Sequence, residues 1–156
     1  MEPADPSRIA KLNADYARAI DDDRLEDWPT FFAESCLYTI TSADNHRQGL
    51  PAGLMYADSK GMLHDRVAAL RKANIYERQT YRHLVGLTAI LDEKDSSTIT
   101  ETPFLVVRIM RDGRMDLFAT GRYLDALVEE AGALKFRERL VVCDSSRIDT
   151  LLAIPL

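Results

Sequence analysis

Tyr76, Glu77, Arg78, Gln79, Thr80, Tyr81, Arg82 and His83 form the stretch of this chain richest in reactive side chains. Such a run could supply a general base, phenolic donors and an anion-binding fork, which would make it an active site for proton transfer. It could equally be a fastening between subunits, because tyrosine and arginine dominate the energetics of protein interfaces. Further arginines, Arg108, Arg122, Arg137 and Arg139, recur along strand-like sequence, where a planar guanidinium can make two-pronged bonds to a carboxylate. The run Leu151, Leu152, Ala153, Ile154, Pro155, Leu156 is apolar throughout and needs a surface to lie on. The mixture favours an interface over a catalytic cluster. The expected subunit contact comprises Tyr76, Glu77, Arg78, Tyr81, Arg82 and His83, together with Ile154, Pro155 and Leu156. Losing Arg78, Arg82 or the last three residues is then expected to weaken assembly more than folding.

Other chemistries can be tested by counting groups. A Rieske cluster takes paired Cys and His ligands at short spacing, and a mononuclear non-haem iron takes two His and a carboxylate. This chain has no Cys-x-His or Cys-x-x-His pair, and His46, His64 and His83 fall in different predicted elements. No set of glycines makes a dinucleotide fingerprint or a phosphate cradle, and there is no Gly-x-Ser-x-Gly elbow. Ser145 and Ser146 follow a strand end as turn formers. One enzymatic reading uses Tyr16, Tyr38, His83, Asp44 and Tyr123 as acid/base groups inside a cone of helix and sheet. Each has a simpler role: Tyr16 falls on an apolar helix stripe, Tyr38 and Tyr123 alternate in strands, and Asp44 lies in a turn cluster. No catalytic, cofactor-binding or metal-ligating residue is therefore assigned to this chain.

The elements that position these residues follow from periodicity. Ile9, Leu12, Tyr16 and Ile20 repeat at spacings of three and four and predict a first helix, ending at Asp21, Asp22 and Asp23. A short helix is predicted from Arg24 towards Phe32, a strand over Cys36 to Thr41, a loop over Ser42 to Gly49, and a second helix from Asp58 and Ser59 to about Asn74. Four strands are then expected: Arg82 to Leu91, Thr98 to Arg111, Met115 to Val128 and Leu134 to Cys143. Asp112 and Gly113 supply the hairpin signal between the middle two. Along the last strand, Leu134, Phe136, Leu140 and Val142 are read as the apolar face and Lys135, Arg137 and Arg139 as the outer one. Helices followed by hairpin-linked strands make an α+β fold with helices closing one face of a curved, mostly antiparallel sheet.

Composition limits the partners. The chain has 156 residues and a formal net charge of -5, which fits a single domain and disfavours an electrostatic hold on nucleic acid or anionic membrane. Neither a bilayer-length apolar run nor a secretory start is visible, so a cytoplasmic location is expected. Cys36 and Cys143 each lie in strand-like sequence and are expected to be buried free thiols.

An ordered series of short segments resembles one family. It runs through Trp28-Pro29-Thr30-Phe31-Phe32, Asp44-Asn45-His46, Gly49-Leu50, Ala57-Asp58-Ser59, Asp65-Arg66 and Ala73-Asn74-Ile75-Tyr76-Glu77-Arg78 to Tyr81-Arg82-His83. It continues with Thr102-Pro103-Phe104, Arg108-Ile109-Met110, Gly121 with Tyr123-Leu124-Asp125, Glu138-Arg139, Val142-Cys143-Asp144-Ser145, Asp149-Thr150-Leu151 and Pro155-Leu156. The set is similar to the small (beta) subunits of Rieske-type aromatic-ring-hydroxylating dioxygenases, with the terephthalate branch nearest; Gly49-Leu50-Pro51 and Asp65-Arg66-Val67 also match small subunits of salicylate hydroxylases. The resemblance implies a cystatin-like, nuclear-transport-factor-2-like cone in an α3β3 hexamer, beside other beta subunits. It places the Rieske [2Fe-2S] cluster, the mononuclear non-haem iron and the substrate pocket in the alpha subunit, with a reductase feeding the complex. A free-standing isomerase or dehydratase on the same fold is the alternative.

Overall fold

The structure is a computed structural model that describes residues 4–50, 53, 55–72, 79–145 and 155–156. Tyr76, Glu77, Arg78 and Ile154, singled out above, lie outside the described residues.

Helix α1 (Pro6–Asp21) starts where Asp5 caps it, its carboxylate accepting from the Ser7 amide at 2.9 Å, with Pro6 at the first position. The predicted stripe is the buried face: Ile9, Leu12, Tyr16 and Ile20 all enter the core. A 3-10 helix (Leu25–Phe31), tightened around Pro29, follows. Strand β1 (Phe32–Ser42) runs into a short helix α2 (Ala43–Arg47), in the segment expected to be a loop. Ser42 caps it by accepting from Asn45, so one polar side chain organises a turn that lacks any apolar period. Strand β2 (Met55–Ala57) and helix α3 (Lys60–Lys72) complete the first half.

The second half is a run of strands: β3 (Thr80–Val85), β4 (Ala89–Lys94), β5 (Ser97–Ile109), β6 (Met115–Glu130) and β7 (Ala133–Cys143). The single strand expected over Arg82 to Leu91 is two, both pairing with the long β5. The seven strands form one sheet in the order β2-β1-β7-β6-β5-β3, with β4 also on β5. Among the described residues every pairing is antiparallel except β1 with β7, which is parallel. Strands β6 and β7 approach closely at Gly121, where a Cβ would come within 2.1 Å of the Val142 carbonyl oxygen.

Two register shifts re-aim the interior. Opposite Ala126 and Leu127, strand β7 places Glu138 and Phe136, so Arg137 is an extra residue and the inside-outside alternation resets. Arg139 consequently faces the core with Phe136, Val141 and Cys143, which corrects the reading that put it on the outer face. Opposite Val106 and Val107, strand β6 carries the extra residue Phe118.

Candidate functional site

The interior of the cone is built from aromatic rings around one buried cation. Tyr16 of α1, Tyr38 of β1 and Tyr123 of β6 are all fully buried, with Trp28, Phe32 and Phe136 among them. Arg139 reaches between them, its guanidinium carbon 3.7 Å from the Tyr123 ring centroid, 3.9 Å from Phe136 and 4.5 Å from Tyr16. Asp125, opposite it in the β6–β7 ladder, takes a two-pronged bond: Arg139 Nε donates at 2.9 Å and Nη2 at 2.8 Å. Nη2 also donates to Asn13 Oδ1 at 2.6 Å. Burial pushes the Asp125 carboxyl upward, opposed by the adjacent guanidinium. For Arg139, burial works against the charge, but Asp125 and the phenol rings outweigh it and hold the guanidinium ionised. Arg139 Nη1 and the Tyr123 hydroxyl have no hydrogen-bond partner among the described residues.

Leu156 closes this interior. Its side chain is buried in the core, and its main-chain oxygen accepts from the Tyr16 hydroxyl at 2.8 Å and the Tyr38 hydroxyl at 2.9 Å. The Leu156 amide donates to the Tyr38 oxygen at 3.0 Å, and Trp28 Nε1 donates to the Tyr16 oxygen at 3.1 Å. Burial raises the pKa of Tyr16, and raises that of Tyr38 well above the ordinary value, so both remain protonated donors. The apolar tail thus does find a surface, at least for Pro155 and Leu156, and that surface belongs to its own chain. Leu156 is fully buried, and it was expected at a contact with another subunit.

The opening run divides by strand alternation. Tyr81 and His83 point inward and are buried, while Arg82 between them points out with its side chain 62% exposed. The Tyr81 hydroxyl donates to Gln79 Oε1 at 2.9 Å, and its ring meets Phe118 edge-on. His83 is locked by Asp21: its amide donates to Oδ2 at 2.8 Å and its Nδ1 lies 2.6 Å from Oδ1, with both side chains buried. Asp21 was legible only as one of three acids ending a helix. Of the other two, Asp22 lies 3.7 Å from Arg24 and Asp23 takes Arg71 at 2.8 Å. Asp44, the other acid/base candidate, is exposed and ion-pairs with Arg47. The structure therefore brings Tyr16, Tyr38 and Tyr123 together but joins neither Asp44 nor His83 to them.

Outside the cone, an open pocket of about 410 Å³ lies between β2 and α3, lined by Met55, Tyr56, Ala57, Met62, Asp65 and Arg66 with Trp28 behind. Cys36 and Cys143 are buried and free, as expected. Among the described residues, no three of His, Cys, Asp and Glu converge as a metal-binding group, and no helix is long and apolar enough to cross a membrane.

The family profile of the ring hydroxylating beta subunit matches residues 15–150. The chain belongs to the ring-hydroxylating dioxygenase beta-subunit family. It is 50% identical over 149 residues to a terephthalate 1,2-dioxygenase terminal oxygenase component beta subunit from a Comamonas species, covering 96% of this chain and 97% of that one. The anthranilate 1,2-dioxygenase small subunit of Burkholderia cepacia is 39% identical over 95% of this chain and 92% of its own. A crystal structure described as the beta subunit of an aromatic-ring-hydroxylating dioxygenase from Novosphingobium aromaticivorans superposes with a TM-score of 0.89 at 41% identity, covering 97% of this chain and 96% of that one. The expected α+β cone is the fold observed. Membership makes this chain a component of an aromatic-ring dioxygenase.

Proposed function

We propose that the chain is the structural, non-catalytic beta subunit of an aromatic-carboxylate ring-hydroxylating dioxygenase of the terephthalate type, holding an α3β3 oxygenase together. The observation that carries this reading is the 50% identity to terephthalate dioxygenase beta subunits across nearly the whole of both chains. The interior supports it: the cone is filled by Arg139, its aromatic neighbours and Leu156. Both centres, and the pocket that selects the aromatic acid, are assigned to the alpha subunit, with reducing equivalents arriving from a separate reductase. The complex would then place both atoms of O₂ on the ring as a cis-dihydrodiol. Terephthalate is the first choice of substrate, and a salicylate-type oxygenase is the second, because an alpha subunit sets that choice.

The outward neighbours of Tyr81 and His83 are the better interface residues. Arg82 pairs with Val107 and that residue with Leu117, while Leu84 pairs with Leu105, so one outer face of β3, β5 and β6 carries an arginine among apolar side chains. Leu84 is 55% exposed and Leu117 75% exposed, an apolar surface of the kind that marks a partner. Co-expression with the alpha subunit tests the whole reading: a mixed hexamer with iron, sulfide and turnover confined to complexes containing alpha is the expected result. Stoichiometric iron and dioxygenase turnover in the isolated beta chain would overturn it.

A further inference from the structure

Besides the outer face of β3, β5 and β6, two apolar patches lie at opposite edges of the sheet. At the β2 edge, Tyr56 of β2 and Met62 of α3 are 54% and 39% exposed. At the other, Leu87 in the link from β3 to β4 is 93% exposed, with Ile90 and Leu91 of β4 at 41% and 56%. The two patches differ in form. Leu87 is a knob on a link pinned from both sides: the Gly86 amide donates to the Pro103 oxygen at 2.9 Å, and Thr88 Oγ1 lies 2.8 Å from Thr102 Oγ1. A Cβ on Gly86 would come within 2.7 Å of Pro103 Cγ, which favours glycine at this approach. Tyr56 and Met62 instead border a hole, the open pocket of about 410 Å³. Helix α3, one wall of that pocket, packs on the 3-10 helix, β1 and β2, whereas β4 packs on β5, so the knob and the hole of one chain lie apart.

We infer that the pocket between β2 and α3 takes Leu87 of a second copy of this chain, so that beta subunits join head to tail. The inference rests on the proposed α3β3 assembly, which holds three copies: a contact between two different patches is heterologous, and it closes into a ring when the rotation per copy fits the number of copies. A rigid, fully presented aliphatic side chain beside an open hole lined by Met55, Met62 and Tyr56 is the pairing of anchor and pocket that dominates interfaces, and thioether walls adapt to the side chain that enters. Charge agrees with this pairing. Beside the knob, Asp92, Glu93, Lys94 and Asp95 are all exposed and mainly acidic. Beside the hole, α3 carries Lys60, Arg66, Arg71 and Lys72 against Asp65. Arg71 is held by Glu26 and Asp23 and Lys60 lies 3.8 Å from Glu34, and the helix still bears more cations than anions. Opposite signs on the two patches steer unlike edges together and keep like edges apart. The outer face with Arg82, Leu84 and Leu117 is left for the alpha subunit.

A disulfide trap in the co-expressed complex with the alpha subunit tests the contact. The beta chain carries Leu87→Cys and Met62→Cys together or singly, and the purified complex is oxidised and resolved on denaturing gels without reductant. Cys36 and Cys143 are buried and stay out of the reaction. A disulfide needs Cα atoms within about 7 Å, so it forms only where the two side chains meet. The double variant should yield disulfide-linked beta dimers and trimers, and each single variant beta monomers alone. When two differently tagged beta chains are co-expressed, one with each cysteine, only unlike chains should be linked. Should Met62→Cys not fold, Tyr56→Cys on the same rim replaces it. A mixed hexamer in which neither cysteine pair links beta chains overturns the inference and leaves the dioxygenase reading standing. Links between two Leu87→Cys chains, or from Leu87→Cys to the alpha subunit, overturn it by naming another occupant, and a link within one chain overturns it as well. Unaltered beta chains that form no mixed hexamer with alpha overturn both.

Discussion

The guanidinium of Arg139 sits over the ring of Tyr123, its carbon 3.7 Å from the centroid, while its Nε and Nη2 donate to the carboxylate of Asp125. The cone is thereby organised around a cation that has left water completely, and its stability depends on keeping that cation matched.

Arg139→Met should cost about 3–5 kcal/mol, because it strands the Asp125 carboxylate in the core. The double variant Arg139→Met with Asp125→Leu should recover much of the loss, since a buried pair replaced by apolar groups of similar volume is often neutral or better. Urea unfolding of the wild type, both single variants and the double variant checks this as a cycle. A double variant as unstable as the sum of the singles would show that the pair is not the unit proposed.

Arg82 and Leu156, both expected at the interface, differ in burial: the Arg82 side chain is 62% exposed and Leu156 is fully buried. Leu156→Ala should destabilise the domain by about 2–5 kcal/mol, the range for losing a buried leucine side chain. Arg82→Ala should change domain stability by no more than about 0.5 kcal/mol, as for exposed positions, yet weaken association with the alpha subunit. Melts of the isolated chain beside size-exclusion masses of the co-expressed complex distinguish them; a full-strength hexamer carrying Arg82→Ala would remove that residue from the interface.

At acid pH the clamp of Arg71 on Glu26 should let go. Its guanidinium donates to both Glu26 oxygens, at 2.7 and 2.9 Å, and this holds the carboxyl down at about 2. A carboxyl whose folded pKa is depressed stabilises the fold above its ordinary pKa and loses that contribution as pH falls from there towards about 2. Glu26 is 64% exposed, so solvent screening limits the effect to about 0.2–1 kcal/mol. The stability difference between wild type and Glu26→Gln should therefore be small at pH 6 and absent near pH 2; a difference that persists unchanged at the lower pH would contradict the assignment.

At alkaline pH the buried thiol and phenols act in the opposite sense. Burial pushes the Cys143 thiol up to about 12 and raises the Tyr38 and Tyr123 phenols well above their ordinary value. Protonation is favoured in the folded state, so the stabilisation is intact below the unfolded thiol pKa of about 8.5 and fades as pH rises through about 12. Urea midpoints should fall steadily between pH 8 and pH 11. In the folded chain at pH 8 both cysteines should react with a thiol reagent at least about tenfold more slowly than in urea, and rapid reaction of either would show that it is not buried.

Much of the scaffold was legible because its signals are local. The stripe Ile9, Leu12, Tyr16, Ile20 needed only the helical period, and Asp112-Gly113 needed only the left-handed preference of glycine, which sits at a φ of 89°. The site was hidden because it depends on register. Strict alternation places Arg139 outside, and only the extra residue at Arg137, created by pairing with β6, turns it inward. Asp21 could not be matched to His83 from sequence for the same reason: the pair spans 62 positions and depends on how α1 crosses β3. Leu156 declared itself as an apolar residue wanting cover, but apolarity does not say whether the cover is another chain or the chain's own interior.

The parallel pairing of β1 with β7 also sets the order in which the molecule can come into being. Tyr16 and Leu156, joined by one hydrogen bond, are separated by 140 positions. A ribosome thus releases the first helix and β1 long before the strand that must flank β1 exists, and until then that edge of β1 has no ladder partner. The interior cannot be sealed until translation reaches Leu156, and until then the chain carries an unpaired strand edge and apolar surface of the kind that aggregates.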